Sequence, residues 1–281
     1  KKNSGTLLAP KATHHIDPVN WMLPDVPDVL SATGTRNFYT PRTAERLGLR
    51  ERGPRCLDCA VAEHCPFFFD LRAKDSLKET YLDHEHEDGY WRDKCVFDPE
   101  HGDAMDPRVD IEDSMSVSVR YRQGAVLTYS LVSYSPWEGY TIAFTGTKGR
   151  IEHVQRESSY VSGDGDVPGE AITEGSYLRV FPLRGNPYAC EMRKSEGGHG
   201  GADPILLEDI FGTDDRPADP TMRAADERAG AYSILCGVAA NRSIVDGGHC
   251  VVIRDLAGDI ERPNFTPMPG DDEPLSIPLR T

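Results

Sequence analysis

Polar and apolar residues alternate most regularly in the middle of the chain. Met115, Val117, Val119 and Tyr121 interleave with Ser116, Ser118 and Arg120, the period of a strand with one buried face. Gln123-Gly124 turns the chain, and residues 125–134 read as the returning strand. Residues 140–145 predict another strand, and the turn Gly146-Thr147-Lys148-Gly149 leads into a further one at 150–154. Residues 177–183 and 188–193 predict two more. Short strands at 29–32 and 251–253 complete the set. Helical spacing is found elsewhere. If Thr13 caps a helix, His14, Asp17 and Trp21 fall at i, i+3 and i+7 on one face. Asp203 as N-cap and Pro204 in the first turn predict a helix that reaches Phe211 and stops at Gly212. Residues 222–241 predict a third helix, with Ala225, Ala229, Tyr232, Cys236 and Ala239 as its buried stripe. The expected fold class is α+β, a large open, mostly antiparallel sheet with helices on one face. A second copy of the chain is expected to cover the other face.

Residues 40–108 break this regularity. They are charged, rich in Cys, His, Asp and Pro, and read as an insertion with little core of its own. Residues 157–175 form a Gly- and acid-rich loop, and 263–281 a Pro-rich surface tail. The insertion carries Cys56-x2-Cys59-x5-Cys65 and, further on, Cys95. Four thiolates suit tetrahedral zinc, and a metal staple stabilises a poorly cored segment. An iron–sulfur cluster and free or disulfide-linked thiols are the alternatives. Cys190, Cys236 and Cys250 lie on strand or helix patterns and read as small core residues. His84 and His86 belong to a charged loop and are spare ligands at most.

Charge narrows the partners. Lys and Arg number 31 against 46 Asp and Glu, a formal charge of −15, with no basic stripe, so a nucleic-acid partner is not expected. No apolar run approaches the length of a spanning helix, so no membrane partner is expected either. An odd count of seven cysteines, unevenly spaced, argues against a secreted disulfide framework. A reduced, cytoplasmic compartment is the simpler reading. Lys1-Lys2-Asn3-Ser4-Gly5 has neither an initiator Met nor the apolar core of a signal peptide, which suggests a processed chain or a fragment.

Five stretches, in order, carry a family likeness. They are Gly5-Thr6-Leu7-Leu8 through His14-His15-Ile16-Asp17 to Trp21; Ile111-Glu112-Asp113-Ser114-Met115-Ser116-Val117; Phe144 to Glu152 around Gly146-Thr147-Lys148-Gly149; Gly197-Gly198-His199-Gly200-Gly201-Ala202-Asp203; and Ala239-Ala240-Asn241-Arg242-Ser243-Ile244. With these, residues 1–281 resemble the C-terminal substrate domain of the glucose–fructose oxidoreductase / inositol dehydrogenase / MocA (Gfo/Idh/MocA) family, interrupted by the 40–108 insertion and followed by the 263–281 tail. The resemblance implies the substrate-binding and oligomerisation part of an NAD- or NADP-dependent oxidoreductase acting on a sugar, cyclitol or related polyol. Its implied partners are a carbohydrate-like small molecule, further copies of itself, and an N-terminal Rossmann domain or subunit absent from this chain. No Gly-x-Gly-x-x-Gly stands between a strand and a helix here.

The likeness also implies site residues. His14 matches the family's acid/base histidine, which takes the proton of a sugar hydroxyl while hydride leaves the same carbon. The family often has Asp four residues earlier. Pro10 stands there in this chain, and neighbouring Lys11 is the candidate for a compensating charge at the catalytic position. Asp17 and His199 are the matching substrate-hydroxyl ligands. Asp203, first of all a helix cap, and Tyr134, as a pocket or rim aromatic, are further substrate-binding candidates. Two other readings stay open. One is a redox-assisted glycosidase, some of which use a His in a Gly-His-Gly-Gly loop like residues 198–201. The other is a non-catalytic binding or assembly module, suggested by the missing Asp at position 10.

Overall fold

The computed structural model describes residues 5–70, 94–97, 110–135, 138–156, 176–192, 198–212, 219 and 221–265. In chain order they form α1 (Thr13–Met22), β1 (Pro27–Thr35), α2 (Pro41–Arg46), a 3-10 turn at Ala62–His64, β2 (Ser114–Tyr121), β3 (Val126–Val132), β4 (Gly139–Gly146), β5 (Gly149–Arg156), β6 (Tyr177–Pro182), β7 (Tyr188–Cys190), α3 (Gly198–Phe211), α4 (Glu227–Val245), β8 (Val251–Val252) and α5 (Ile253–Ala257). The chain divides into two compact units, 1–134 with 227–262, and 135–226 with 263–281.

The first unit is a four-stranded antiparallel sheet in the order β3-β2-β1-β8. The alternation in β2 has the expected consequence: Met115, Val117, Val119 and Tyr121 are buried, while Ser116, Ser118 and Arg120 are exposed. Cross-strand register carries this parity into β3, where Leu131, Tyr129 and Leu127 lie opposite Met115, Val117 and Val119. Helix α4 packs on β1, and α1 packs on α4. Ala229, Tyr232, Cys236 and Ala239 are buried as their spacing predicts. Ala225 precedes the helix and is exposed. The buried Ser243 hydroxyl accepts the N–H of Ala32 at 2.8 Å, which ties α4 to the centre of β1.

The second unit is a separate antiparallel sheet, β4-β5-β6-β7. The expected hairpin is present, with Gly146 paired to Gly149 across Thr147-Lys148. Gly149 has φ +146°, and a Cβ there would lie 2.2 Å from the Phe181 carbonyl oxygen, so only glycine fits. The fold is thus mixed α/β with antiparallel sheets, but the single large sheet resolves into two of four strands. Gly139 opens β4 with φ +148°.

The segment after β1 encloses a small core of Ala44, Leu49 and Phe97, with Phe38, Tyr39, Val61, Cys65, Phe67, Cys95 and Val96 packed on it. His84, His86 and the 157–175 loop lie outside the described residues, as does the tail from 266 onward. Pro263 itself is buried. No helix among the described residues is long and apolar enough to cross a membrane.

Candidate functional site

The first and last of the family-like stretches meet in space. Thr6 donates its hydroxyl to Asn241 Oδ1, and the Leu8 N–H is 3.2 Å from the same Thr6 oxygen. Gly237 makes this approach possible, because a Cβ there would lie 2.4 Å from the Leu8 carbonyl oxygen and 2.7 Å from Ala9 Cα. The turn over residues 6–12 then feeds α1. Thr13 is the first helical residue rather than the cap. Its hydroxyl bonds back to the Ala9 carbonyl, and the N-cap position, Ala12, has no side-chain bond to offer.

Helix α1 distributes its polar side chains unequally. His15 Nδ1 lies 2.9 Å from the Tyr129 hydroxyl on β3. Asp17 Oδ1 accepts from Ser233 Oγ of α4 at 2.9 Å, and the Ala229 carbonyl lies equally close to that hydroxyl. Buried Asn20 accepts the Tyr121 hydroxyl proton at 2.8 Å and lies 3.5 Å from Ser233 Oγ through Nδ2. Burial pushes the Tyr121 phenol far up, helped by Cys236 and Asp25, and pushes Tyr129 up likewise. Both therefore keep their protons and remain donors over any working pH. Burial also raises the Cys236 thiol to about 12, so it behaves as a core residue. His14, by contrast, is exposed. Lys11 is exposed as well. An exposed imidazole on a helix whose next three polar residues are tied to the core can exchange protons with a bound small molecule without breaking a structural bond.

Tyr134 follows β3 and belongs to an aromatic cluster. Its ring stacks on Phe38 with centroids 4.4 Å apart and 16° between planes, its hydroxyl lies 3.2 Å from Ser114 Oγ, and it remains 37% exposed. The loop that carries Phe38 is held by Asp113, a buried carboxylate within the second family-like stretch. Asp113 accepts the N–H groups of Asn37, Phe38 and Tyr39 at 2.7–3.1 Å, with the Ser114 hydroxyl as a fourth donor. Burial pushes its pKa up, but the bonds from Tyr39, Asn37, Phe38 and Ser114 outweigh that and hold it below the ordinary carboxylate value.

His199 and Asp203 belong to the second unit. Their glycine-rich stretch is helical from Gly198, so Asp203 lies inside α3 rather than at its N-cap, and Pro204 lies inside as well. Within it Gly201 takes φ +82°, where other residues are strained.

The zinc reading needs correction. Among the described residues no group of three or more His, Cys, Asp or Glu side chains is placed to hold a metal ion, and Cys56, Cys59, Cys65 and Cys95 are each half-buried. Local packing accounts for three of the four. Cys65 and Cys95 pack on the Phe97 core, and Cys59 Sγ accepts the Gly53 N–H at 3.3 Å. Cys250 is exposed and Cys190 half-buried, so of the three remaining cysteines Cys236 alone is fully in the core.

Sequence reasoning missed Tyr129, Asn20, Ser233 and Asp113. A signal existed for Tyr129, since a tyrosine on the core side of a strand needs a partner for its hydroxyl. The other three pair with residues remote in sequence.

Comparison with known proteins now applies to this geometry. Residues 1–252 match the C-terminal alpha/beta domain of an oxidoreductase family, GFO_IDH_MocA_C. The chain belongs to the Gfo/Idh/MocA family. YteT of Bacillus subtilis (strain 168), a protein provisionally named an oxidoreductase, is 36% identical over 253 residues, which is 86% of this chain and 55% of YteT. The chain therefore spans about half the length of that relative. Similar solved structures include an aldose-aldose oxidoreductase from Caulobacter crescentus complexed with glycerol, at 12% identity and TM-score 0.45, covering 88% of this chain and 48% of that one. An oxidoreductase from Agrobacterium radiobacter in complex with NAD+, L-tartaric acid and magnesium is similar at 14% identity and TM-score 0.46, covering 90% of this chain and 51% of that one. At these scores the structural likeness adds nothing to the family match.

Proposed function

We propose that this Gfo/Idh/MocA chain is the substrate-binding part of an NAD(P)-dependent oxidoreductase acting on a sugar, cyclitol or related polyol, with His14 as its acid/base. The observation that carries the reading is the exposure of His14 on a helix whose neighbouring polar side chains, His15, Asp17 and Asn20, are bonded to the core. A nicotinamide held by the remainder of the whole protein would supply the hydride acceptor for the carbinol carbon. His14 takes the hydroxyl proton of that carbon onto a ring nitrogen and returns it in the reverse direction. Lys11, exposed in the turn before α1, supplies positive charge that favours the developing alkoxide. Asp17, Tyr134, His199 and Asp203 are proposed as substrate contacts. Asp17 keeps a second carboxylate oxygen beside the one that accepts from Ser233, and the exposed part of Tyr134 offers a ring edge and hydroxyl to a polyol.

The residues present do not fit the dinucleotide itself. The glycine-rich run at 197–201 enters α3 without the spacing of a pyrophosphate turn, so we assign the cofactor to the remainder of the whole protein. The exposed Tyr140 and Ile151 of the second sheet support burial against another copy of the protein. The test is to incubate the full-length protein with NAD+ or NADP+ and a panel of polyols led by myo-inositol. Growth of reduced-nicotinamide fluorescence with one of them is expected. Absence of both dinucleotide binding and reduction across the panel would overturn the reading.

A further inference from the structure

We propose that the apolar face of the second sheet is a self-association surface controlled by His153: copies of the chain join there while its imidazole is neutral and part when it gains a proton. Such control presupposes the burial of Tyr140 and Ile151 against another copy that is proposed above.

Register decides what this face carries. Side chains alternate along a strand, so residues paired across neighbouring strands share a face. One row sets Ile142, His153, Leu178 and Cys190 side by side across β4, β5, β6 and β7. The next sets Phe144, Ile151, Val180 and Tyr188. Tyr140 and Gln155 pair in the row on the other side of His153. Tyr140, Ile151 and Tyr188 are exposed, and the other members of these rows are half-buried. Arg150, Glu152 and Arg179 have the opposite parity and lie on the far face. There Arg150 pairs with Glu152 at 2.6 Å, and the Arg179 guanidinium lies over the Tyr177 ring.

On a chain of formal charge −15, copies repel one another where acids meet acids. A sheet face whose described residues include no Asp or Glu is where they can approach. In a two-fold contact the same patch meets itself, so a residue near its middle lies close to its own counterpart. His153 has that place, between Ile142 and Leu178 in its own row and with a row on either side.

The bonds of His153 suit a neutral ring. Its Nδ1 lies 3.0 Å from the Tyr177 carbonyl oxygen, which can only accept, so Nδ1 carries a hydrogen. Its Nε2 lies 3.2 Å from the Tyr140 hydroxyl, from which a neutral ring accepts. Both nitrogens are then satisfied within the chain, and the ring can be covered. A second proton brings a charge that nothing on this face offsets. From β4 the titratable group facing the ring is Tyr140, and β6 presents Leu178, with Cys190 beyond it on β7. Among the described residues of these four strands, no Asp, Glu, Lys or Arg shares the face. Covering an uncompensated cation is costly, and a two-fold contact brings two of them together. Imidazole is the side chain that gains its charge just below neutrality.

The experiment is sedimentation equilibrium of the full-length protein at about pH 8 and about pH 5.5. The dissociation constant for self-association should rise at least about tenfold at the lower pH. Overall charge predicts the reverse, since protonating histidines makes an acidic protein less negative and weakens repulsion between copies. His153→Gln, or His153→Thr should the first not fold, should associate equally at both pH values. Ile151→Asp should abolish association at both. A constant that is unchanged or tighter at low pH, or a pH dependence that the His153 variants retain, would overturn the control by His153 and leave the interface reading standing. Association that survives Ile151→Asp, or a full-length protein that is monomeric throughout, would overturn both.

Discussion

In the unit built on β1–β3 and α4, Leu30, Val119, Ala239 and Ile253 are almost wholly inaccessible. Among the described residues of 135–226, Val154 is the one buried hydrophobic side chain, while Leu206, Leu207, Ile210 and Phe211 of α3 are 55–78% exposed. The first unit closes its core with its own residues. It also pairs its buried polar groups internally, linking Asp17, Asn20, Tyr121 and Ser233 across two helices and a strand. The second forms sound hairpins but leaves an apolar helical surface that its own strands do not cover. The two units thus differ in kind: paired polar groups surround His14 in the first, and exposed apolar side chains mark α3 in the second.

Substitutions in the two units should therefore have unequal effects. Gly237→Ala should be the most damaging, at about 2–3 kcal/mol, because the new methyl meets backbone atoms that cannot swing aside. Urea unfolding followed by far-UV circular dichroism would measure it, and a loss below that of an ordinary surface change would break the claim of tight closure. Asp113→Ala should cost about 1–3 kcal/mol by orphaning three consecutive N–H donors. The same carboxylate predicts a pH effect. Its pKa is lowered on folding, so its contribution is fully present above the unfolded-chain value of about 3.9 and is lost as pH falls toward and through the lower folded value. In Asp113→Ala the acid unfolding curve should lose that component. The smallest effect is expected in the second unit. Phe211→Ser, at a 78% exposed position, should change stability by no more than about 0.5 kcal/mol, and a cost of several times that would show that α3 is covered.

How much was legible in the sequence follows from the range of the interactions. The β2 alternation and the Ala229–Tyr232–Cys236–Ala239 stripe needed only local periodicity, and both face the core as read. So did the Gly146–Gly149 turn. Cap positions failed at α1 and α3, because Thr13 bonds backward to Ala9 and a glycine run proved helical from Gly198. Local propensity is weak against such context. The bond from Ser233 to Asp17 joins residues 216 apart in sequence, and the grip of Asp113 on residues 37–39 spans some seventy-five. No periodicity reports such pairs. The cysteine spacing suggested a metal that the geometry does not gather ligands for, since packing on Phe97 already accounts for Cys65 and Cys95.

The account turns on the chemistry of one exposed imidazole. Its most direct test is the turnover of full-length protein carrying His14→Ala, with the dinucleotide and polyol that the unmodified protein uses best. A fall in kcat of about 100-fold or more is predicted, with the melting temperature unchanged because the side chain is solvent-exposed. An undiminished kcat would contradict it.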